Sequence, residues 1–217
     1  MERELVIGFD CRAMWLYTFD EAHRPFLKPD LEYWFSIGRT TWPTVFLFSQ
    51  VKVNGKDVGT APDCNLQIPY EHQTSDGFWD DLEAMQSFME ENKEAFQRSS
   101  WVIALTVVQT ANYLKAITED TPWPGAPQIL EDEYIRDEWT CLGYDVQTDR
   151  PAFWEGLGNV YPDIQDEMRD RWGKYLNKYH LFDEKQHAVE YANWQYNYEP
   201  LLGIQFVYGL YLIQPFP

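Results

Sequence analysis

The 217-residue sequence predicts an α+β fold. It would be one domain over residues 1–217, with a mainly antiparallel sheet and about four helices packed against it. Three observations predict this. Short runs rich in β-branched and aromatic residues recur from the start of the chain to its end. Longer stretches repeat apolar residues at helical spacing. No Gly/Ser-rich linker and no internal repeat divides the chain.

In order, Leu5–Phe9 reads as a strand. Pro43–Val53 reads as another, and Asn54-Gly55 then signals a hairpin, because both central residues of its turn need positive φ. Cys64–Tyr70 alternates like a strand, with Pro69 marking its edge or end. Residues 77–98 read as a helix, with Trp79, Leu82, Met85, Phe88, Met89 and Phe96 on one stripe. Ser75 or Asp76 would cap it, leaving Asp80 and Asp81 in the first turn, where the helix dipole favours acids. Residues 101–108 read as a buried strand and Asn112–Ile117 as a helical turn, though periodicity also permits one buried helix across both. Three prolines and a glycine make Thr121–Pro127 a loop. Trp139–Val146 is a further strand. A helix starting at Pro162 or Asp163 would bury Ile164, Met168, Trp172, Tyr175, Leu176 and Tyr179. Asp183 would cap the next helix, with Gln186 three residues on and Ala188, Val189 and Ala192 packing inward. Ile204–Ile213 is long, aromatic and uncharged, as a central strand buried on both faces should be.

Composition narrows the function. The chain has 35 acidic and 17 basic residues, a net charge of −18 and a pI near 4.4. At 45% hydrophobic and 17% aromatic it can bury a core, so the charge does not signal disorder. Bare nucleic acid and anionic bilayers are excluded as partners, since both need clustered Lys and Arg. The start, MERELVIGFD, has no signal-peptide pattern, and no run offers the ~20 apolar residues of a membrane span. Three scattered cysteines, Cys11, Cys64 and Cys141, fit buried thiols in a reducing cytosol. The expected location is cytoplasmic.

No catalytic, cofactor or metal constellation stands out. The four histidines lack the i, i+4 spacing of a helical zinc site, and no Cys-x-x-Cys, Gly-x-Ser-x-Gly or phosphate-binding glycine loop is present. No cofactor is expected. Acids are the one chemistry in surplus. A carboxylate pair acting on a carbohydrate is an alternative, since Trp and Tyr stack on sugars.

The charge has a location. Residues 57–145 carry 18 acids against 4 bases, while the last 17 residues carry none. The candidate partner-binding face is therefore Asp80, Asp81, Glu83, Glu90, Glu91 and Glu94 on the predicted helix, with Glu131, Asp132 and Glu133 after the Pro-rich loop. Trp42, Trp123 and Trp154 lie beside prolines or in loops, where tryptophan can anchor a partner. Trp123, inside the Pro-rich loop, is taken as the anchor.

Four segments carry a family resemblance: Ala111–Leu114, Trp139–Val146, Leu176–Asp183 and Val207–Ile213. On these the second half of the chain resembles bacterial immunity proteins encoded beside polymorphic toxins, such as those of Rhs or type VI secretion loci. The resemblance implies a small cytosolic, non-enzymatic protein that binds one cognate protein toxin and blocks it. Acidity fits a toxin with a basic active-site or substrate cleft. A DNA-mimic inhibitor of a nuclease or restriction system would use the same acidity against another target. An assembly protein pairing through its C-terminal strand is a further alternative.

Overall fold

The computed structural model describes residues 3–17, 31–36, 51–53, 56–57, 69–92, 100–118, 126–148, 165–177, 179, 181–198 and 203–215. Its strands are β1 (Glu4–Tyr17), β2 (Leu31–Ser36), β3 (Val51–Val53), β4 (Lys56–Asp57), β5 (Ser100–Val108), β6 (Thr140–Gln147) and β7 (Phe206–Pro215). Its helices are α1 (Leu82–Glu91), α2 (Ala111–Thr118), α3 (Gln165–Trp172) and α4 (Lys185–Tyr198), with 3-10 turns at Tyr70–His72 and Gly173–Tyr175. The strands form one sheet in the order β4-β3-β1-β5-β7-β6, with β2 also on β1. Every pairing is antiparallel. The fold is α+β, as the sequence predicts.

Helices cover both faces of the sheet. Alternate β7 residues separate two apolar clusters: Phe206, Tyr208 and Leu210 join one, and Val207 joins the other. The first cluster takes Ile103, Leu105 and Val107 of β5 with Tyr113 and Ala116 of α2. The second takes Tyr144 and Val146 of β6, Trp172 of α3, and Ala188, Val189, Tyr191 and Ala192 of α4.

β7 lies between β5 and β6, and residues 206–210 are buried. An uncharged sequence is required there, because neither face meets water. Both of its edges are paired within the chain, so the intersubunit pairing of the assembly reading has no free strand to use. Lys52↔Asp57 and Val53↔Lys56 pair across Asn54-Gly55, as the hairpin signal predicts; residues 43–50 and the turn itself lie outside the described residues. The strand-then-helix reading of 101–117 holds, as β5 and α2, and the single-helix alternative does not.

Several boundaries differ from expectation. The helix expected over 77–98 begins only at Leu82 and ends at Glu91, and residues 93–99 lie outside the described residues. Within residues 77–81, Trp79 bridges β1 instead. Trp79 exchanges backbone hydrogen bonds with Phe9 of β1, N to O at 2.8 and 2.9 Å, and this ladder outcompetes another helical turn. The cap is Asp81, not Ser75 or Asp76; its carboxylate accepts from the backbone N–H of Glu83 and Ala84 at 2.8 and 3.0 Å. The helix expected to run from Ile164 through Tyr179 stops at Trp172, and Leu176 instead bridges Phe182. α4 begins at Lys185, two residues after the expected cap Asp183. Of the expected strand Cys64–Tyr70, residues 64–68 lie outside the described residues and Tyr70 opens a 3-10 turn.

Two glycines let loops close onto strands. Gly8 sits at a bulge in β1 with φ 156°, and a Cβ there would lie 2.5 Å from Phe78 Cβ. Its absence admits the Phe78–Trp79 segment. Gly143 sits at a bulge in β6 with φ 136°, and a Cβ there would meet Leu181 Cβ at 2.7 Å and Phe182 O at 2.8 Å. Its absence admits Asn177, Leu181 and Phe182 against the outer edge of β6. Tyr144 and Phe182 exchange backbone bonds at 2.9 Å, Asn177 Nδ2 donates to Leu142 O at 2.7 Å, and Asp145 Oδ1 accepts from Val146 N at 2.9 Å. An edge strand saturated in this way resists pairing with another chain.

Candidate acidic docking site

Both acidic segments are hung from β1. Trp79 is bonded to Phe9, which places Asp80 and the Asp81 cap beside the strand. Leu130 N donates to Val6 O at 2.9 Å, which places Glu131, Asp132 and Glu133 beside the same strand. Asp76 Oδ2 accepts from Gln128 N at 3.0 Å and ties the two segments to each other. Residues 50 positions apart in sequence thus face a common space.

That space is a groove of about 580 Å³ lined by Asp80, Asp81, Leu82, Glu83, Gln86, Glu133, Arg136, Glu138, Trp139 and Ile213. A second concavity of about 380 Å³ is lined by His72, Asp80, Asp81, Ile129, Leu130, Glu131, Asp132 and Glu133. Asp80, Asp81 and Glu133 line both, so the two concavities share an acidic wall and together make a two-lobed acidic depression. Among the described residues that line it, the guanidinium is that of Arg136, 3.6 Å from Glu133 Oε2 and 5.3 Å from the centre of the Trp139 ring. Asp80 Oδ1 is shielded from solvent, has no hydrogen-bond donor among the described residues and lies within ion-pair range of His72 Nδ1, at 3.8 Å.

The structure brings six of the predicted residues together: Asp80, Asp81, Glu83, Glu131, Asp132 and Glu133. Glu90 and Glu91 are exposed at the other end of α1 and line neither concavity. The predicted surface is therefore a depression at the N-terminal end of α1, not a ridge along the helix. Glu94 and Trp123 lie outside the described residues, as do Trp42 and Trp154.

Sequence reasoning misses two exposed aromatic residues that are close in sequence to lining residues, though neither lines a concavity. Tyr134 follows Glu133 and is 69% exposed, and Tyr70 precedes His72 by two positions and is 92% exposed. The signal for Tyr134 is an aromatic residue inside the run Glu131–Glu138, between acids. Trp139, just ahead of β6, is buried with its ring edge-on to Phe9 at 6.2 Å, and it also walls the groove.

Elsewhere, Cys141 departs from expectation: it is an exposed free thiol near the start of the edge strand, ahead of the cover that begins at Leu142. Partial burial, with the charge of Glu4 adding to it, pushes its thiol pKa up. The side chains of Cys11 and Cys64 lie outside the described residues. Among the described residues no group of three or more His, Cys, Asp or Glu side chains could hold a metal ion, and no helix is long and apolar enough to cross a membrane. Comparison of the chain with protein-family models, curated proteins and solved structures finds no match.

Proposed function

We propose that the protein is a non-enzymatic binding protein that neutralises a cognate bacterial toxin by seating a basic surface of that toxin in the acidic depression. The observation that carries the reading is the gathering of Asp80, Asp81, Glu83 and Glu131–Glu133 around two neighbouring concavities that share Asp80, Asp81 and Glu133. Carboxylates gathered in a concavity focus a negative field, which speeds encounter with a basic surface and orients it. Tyr134 and Tyr70 offer the aromatic contact area that slows dissociation once water is excluded.

The carboxylate-pair enzyme reading has less support. A sugar needs a free aromatic face, and the Trp139 ring already carries the Arg136 guanidinium. The DNA-mimic reading calls for carboxylates strung along a surface, whereas these converge. The test is co-expression with the toxin encoded beside the gene. Growth rescue and a stable complex are expected. Rescue that persists when Asp80→Asn, Asp81→Asn and Glu133→Gln are combined would remove the acidic depression from the account.

A further inference from the structure

Glu4 lies outside the depression, on the first residue of β1, and its side chain is only 7% exposed. Four other elements converge on its carboxylate. Tyr211 Oη of β7 donates at 2.6 Å, Tyr144 Oη of β6 at 3.1 Å, Lys185 Nζ of α4 at 2.9 Å and Thr106 Oγ1 of β5 at 3.3 Å. Gly209 leaves the room: a Cβ there would lie 3.1 Å from Glu4 Oε2 and 2.4 Å from Thr106 Oγ1. A carboxylate this buried is held in place by its donors, because any one left unanswered costs more than a neutral bond would.

The position of this cluster along β1 matters. β1 pairs with β5 as Glu4↔Val108 and Val6↔Thr106, then shifts register to Gly8↔Leu105. The bulge lies between the two attachment points of the depression. Leu130 hangs from Val6, on the N-terminal side; Trp79 hangs from Phe9, on the C-terminal side. Pairing beyond Gly8 continues through Ala13↔Ser100 and keeps the Phe9 side fixed. Ahead of the bulge residues 4–6 pair with β5 and Arg3 O accepts from Gln109 N at 2.8 Å, and a one-residue slip of this short stretch would remove the bulge and turn Glu4 and Val6 to the opposite face.

We propose that Glu4 is a positioning residue that pins the register of residues 4–6 and, through the Val6–Leu130 bond, sets the Glu131–Glu133 wall of the acidic depression. Its importance for binding rests on the docking role proposed above; the positioning itself does not. Native-state hydrogen exchange on the full chain tests it, comparing the Leu130, Trp79 and Leu114 amides in the parent, Glu4→Gln and Lys185→Met proteins. Leu130 N–H is bonded to Val6 O, Trp79 N–H to Phe9 O and Leu114 N–H to Thr110 O in α2. In both variants Leu130 exchange should rise about tenfold while Trp79 and Leu114 keep the parent rates. Unchanged Leu130 exchange, or equal acceleration at all three amides, would overturn the proposal, the latter by reducing Glu4 to general stability. Should Glu4→Gln not fold, Tyr211→Phe removes one donor and keeps the ring, and the same selective rise, about threefold, is expected. Selective exchange combined with no binding of the toxin would leave the positioning role standing and sink the docking role instead.

Discussion

Replacing Gly143 by alanine tests how the outer edge of the sheet is closed. The added methyl carbon would lie 2.7 Å from Leu181 Cβ, 2.8 Å from Phe182 O and 2.9 Å from Asn177 Nδ2. Two of these neighbours cannot step aside cheaply. Phe182 O belongs to a backbone pair with Tyr144, and Asn177 Nδ2 is bonded to Leu142 O. Overpacking of this kind costs about 1–3 kcal/mol. The φ of 136° adds about 1–3 kcal/mol of backbone strain for a residue with a Cβ. The lower entropy of the unfolded alanine chain returns about 0.4–1 kcal/mol. The net loss is about 1–5.6 kcal/mol, a sizeable part of the ~5–15 kcal/mol that holds a typical domain. In urea, with a slope of about 2.5 kcal/mol/M, the midpoint should fall by about 0.4–2.2 M at unchanged slope. Gly173→Ala is the internal control: nothing lies within 4 Å of a Cβ there, and its midpoint should stay where it is or rise slightly. A Gly143→Ala midpoint matching that control would refute both the close approach and the account of edge protection.

Three further outcomes follow from single residues. Asp81→Ala removes an oxygen that accepts from two backbone N–H groups and should cost about 0.5–2 kcal/mol by urea denaturation, whereas Asp81→Asn should cost little. Burial and the hydrogen bond to Glu4 push the Tyr211 hydroxyl far above its ordinary pKa, and burial likewise raises Tyr144. Both stay protonated in the folded chain while the unfolded chain ionises near pH 10, so stability is intact below about pH 10 and declines as pH rises beyond it. The urea midpoint should fall between about pH 10 and 11.5, less steeply in Tyr211→Phe; parallel curves for the two proteins would contradict this. Cys141 is exposed but has a raised pKa, so a thiol reagent should label it in the native protein more slowly than free cysteine at about pH 8.

Much of the fold was legible because it rests on local pattern. The uncharged run near the C-terminus announced a strand buried on both faces, and Asn54-Gly55 announced the β3–β4 hairpin. What was not legible depended on partners distant in sequence. The helical stripe that included Trp79 broke because Phe9 offered that residue a backbone ladder, and no local signal encodes an offer made 70 residues away. Trp172, Tyr175 and Leu176 keep helical spacing, yet the chain leaves the helix to pair Leu176 with Phe182. The candidate site divides in the same way. Charge marked the acidic segments along the chain, but only the two attachments to β1 bring Glu131–Glu133 near Asp80 and Asp81 and leave Glu90 and Glu91 apart. The exposure of Cys141 follows from the tertiary arrangement, since its sequence neighbourhood alone suggested a buried thiol.

The measurement that bears most directly on the docking role is the affinity for the adjacently encoded toxin across a salt series, in the parent and two variants. Asp80→Asn, Asp81→Asn and Glu133→Gln together remove three charges from the depression while keeping shape and the helix cap. Glu90→Gln with Glu91→Gln removes two from the far end of α1. Parent affinity should weaken steadily as salt rises from about 0.05 to 0.5 M. The depression variant should bind about a hundredfold more weakly with a flatter salt dependence, and the far-end variant should follow the parent. Equal binding by all three proteins at every salt concentration would contradict the account.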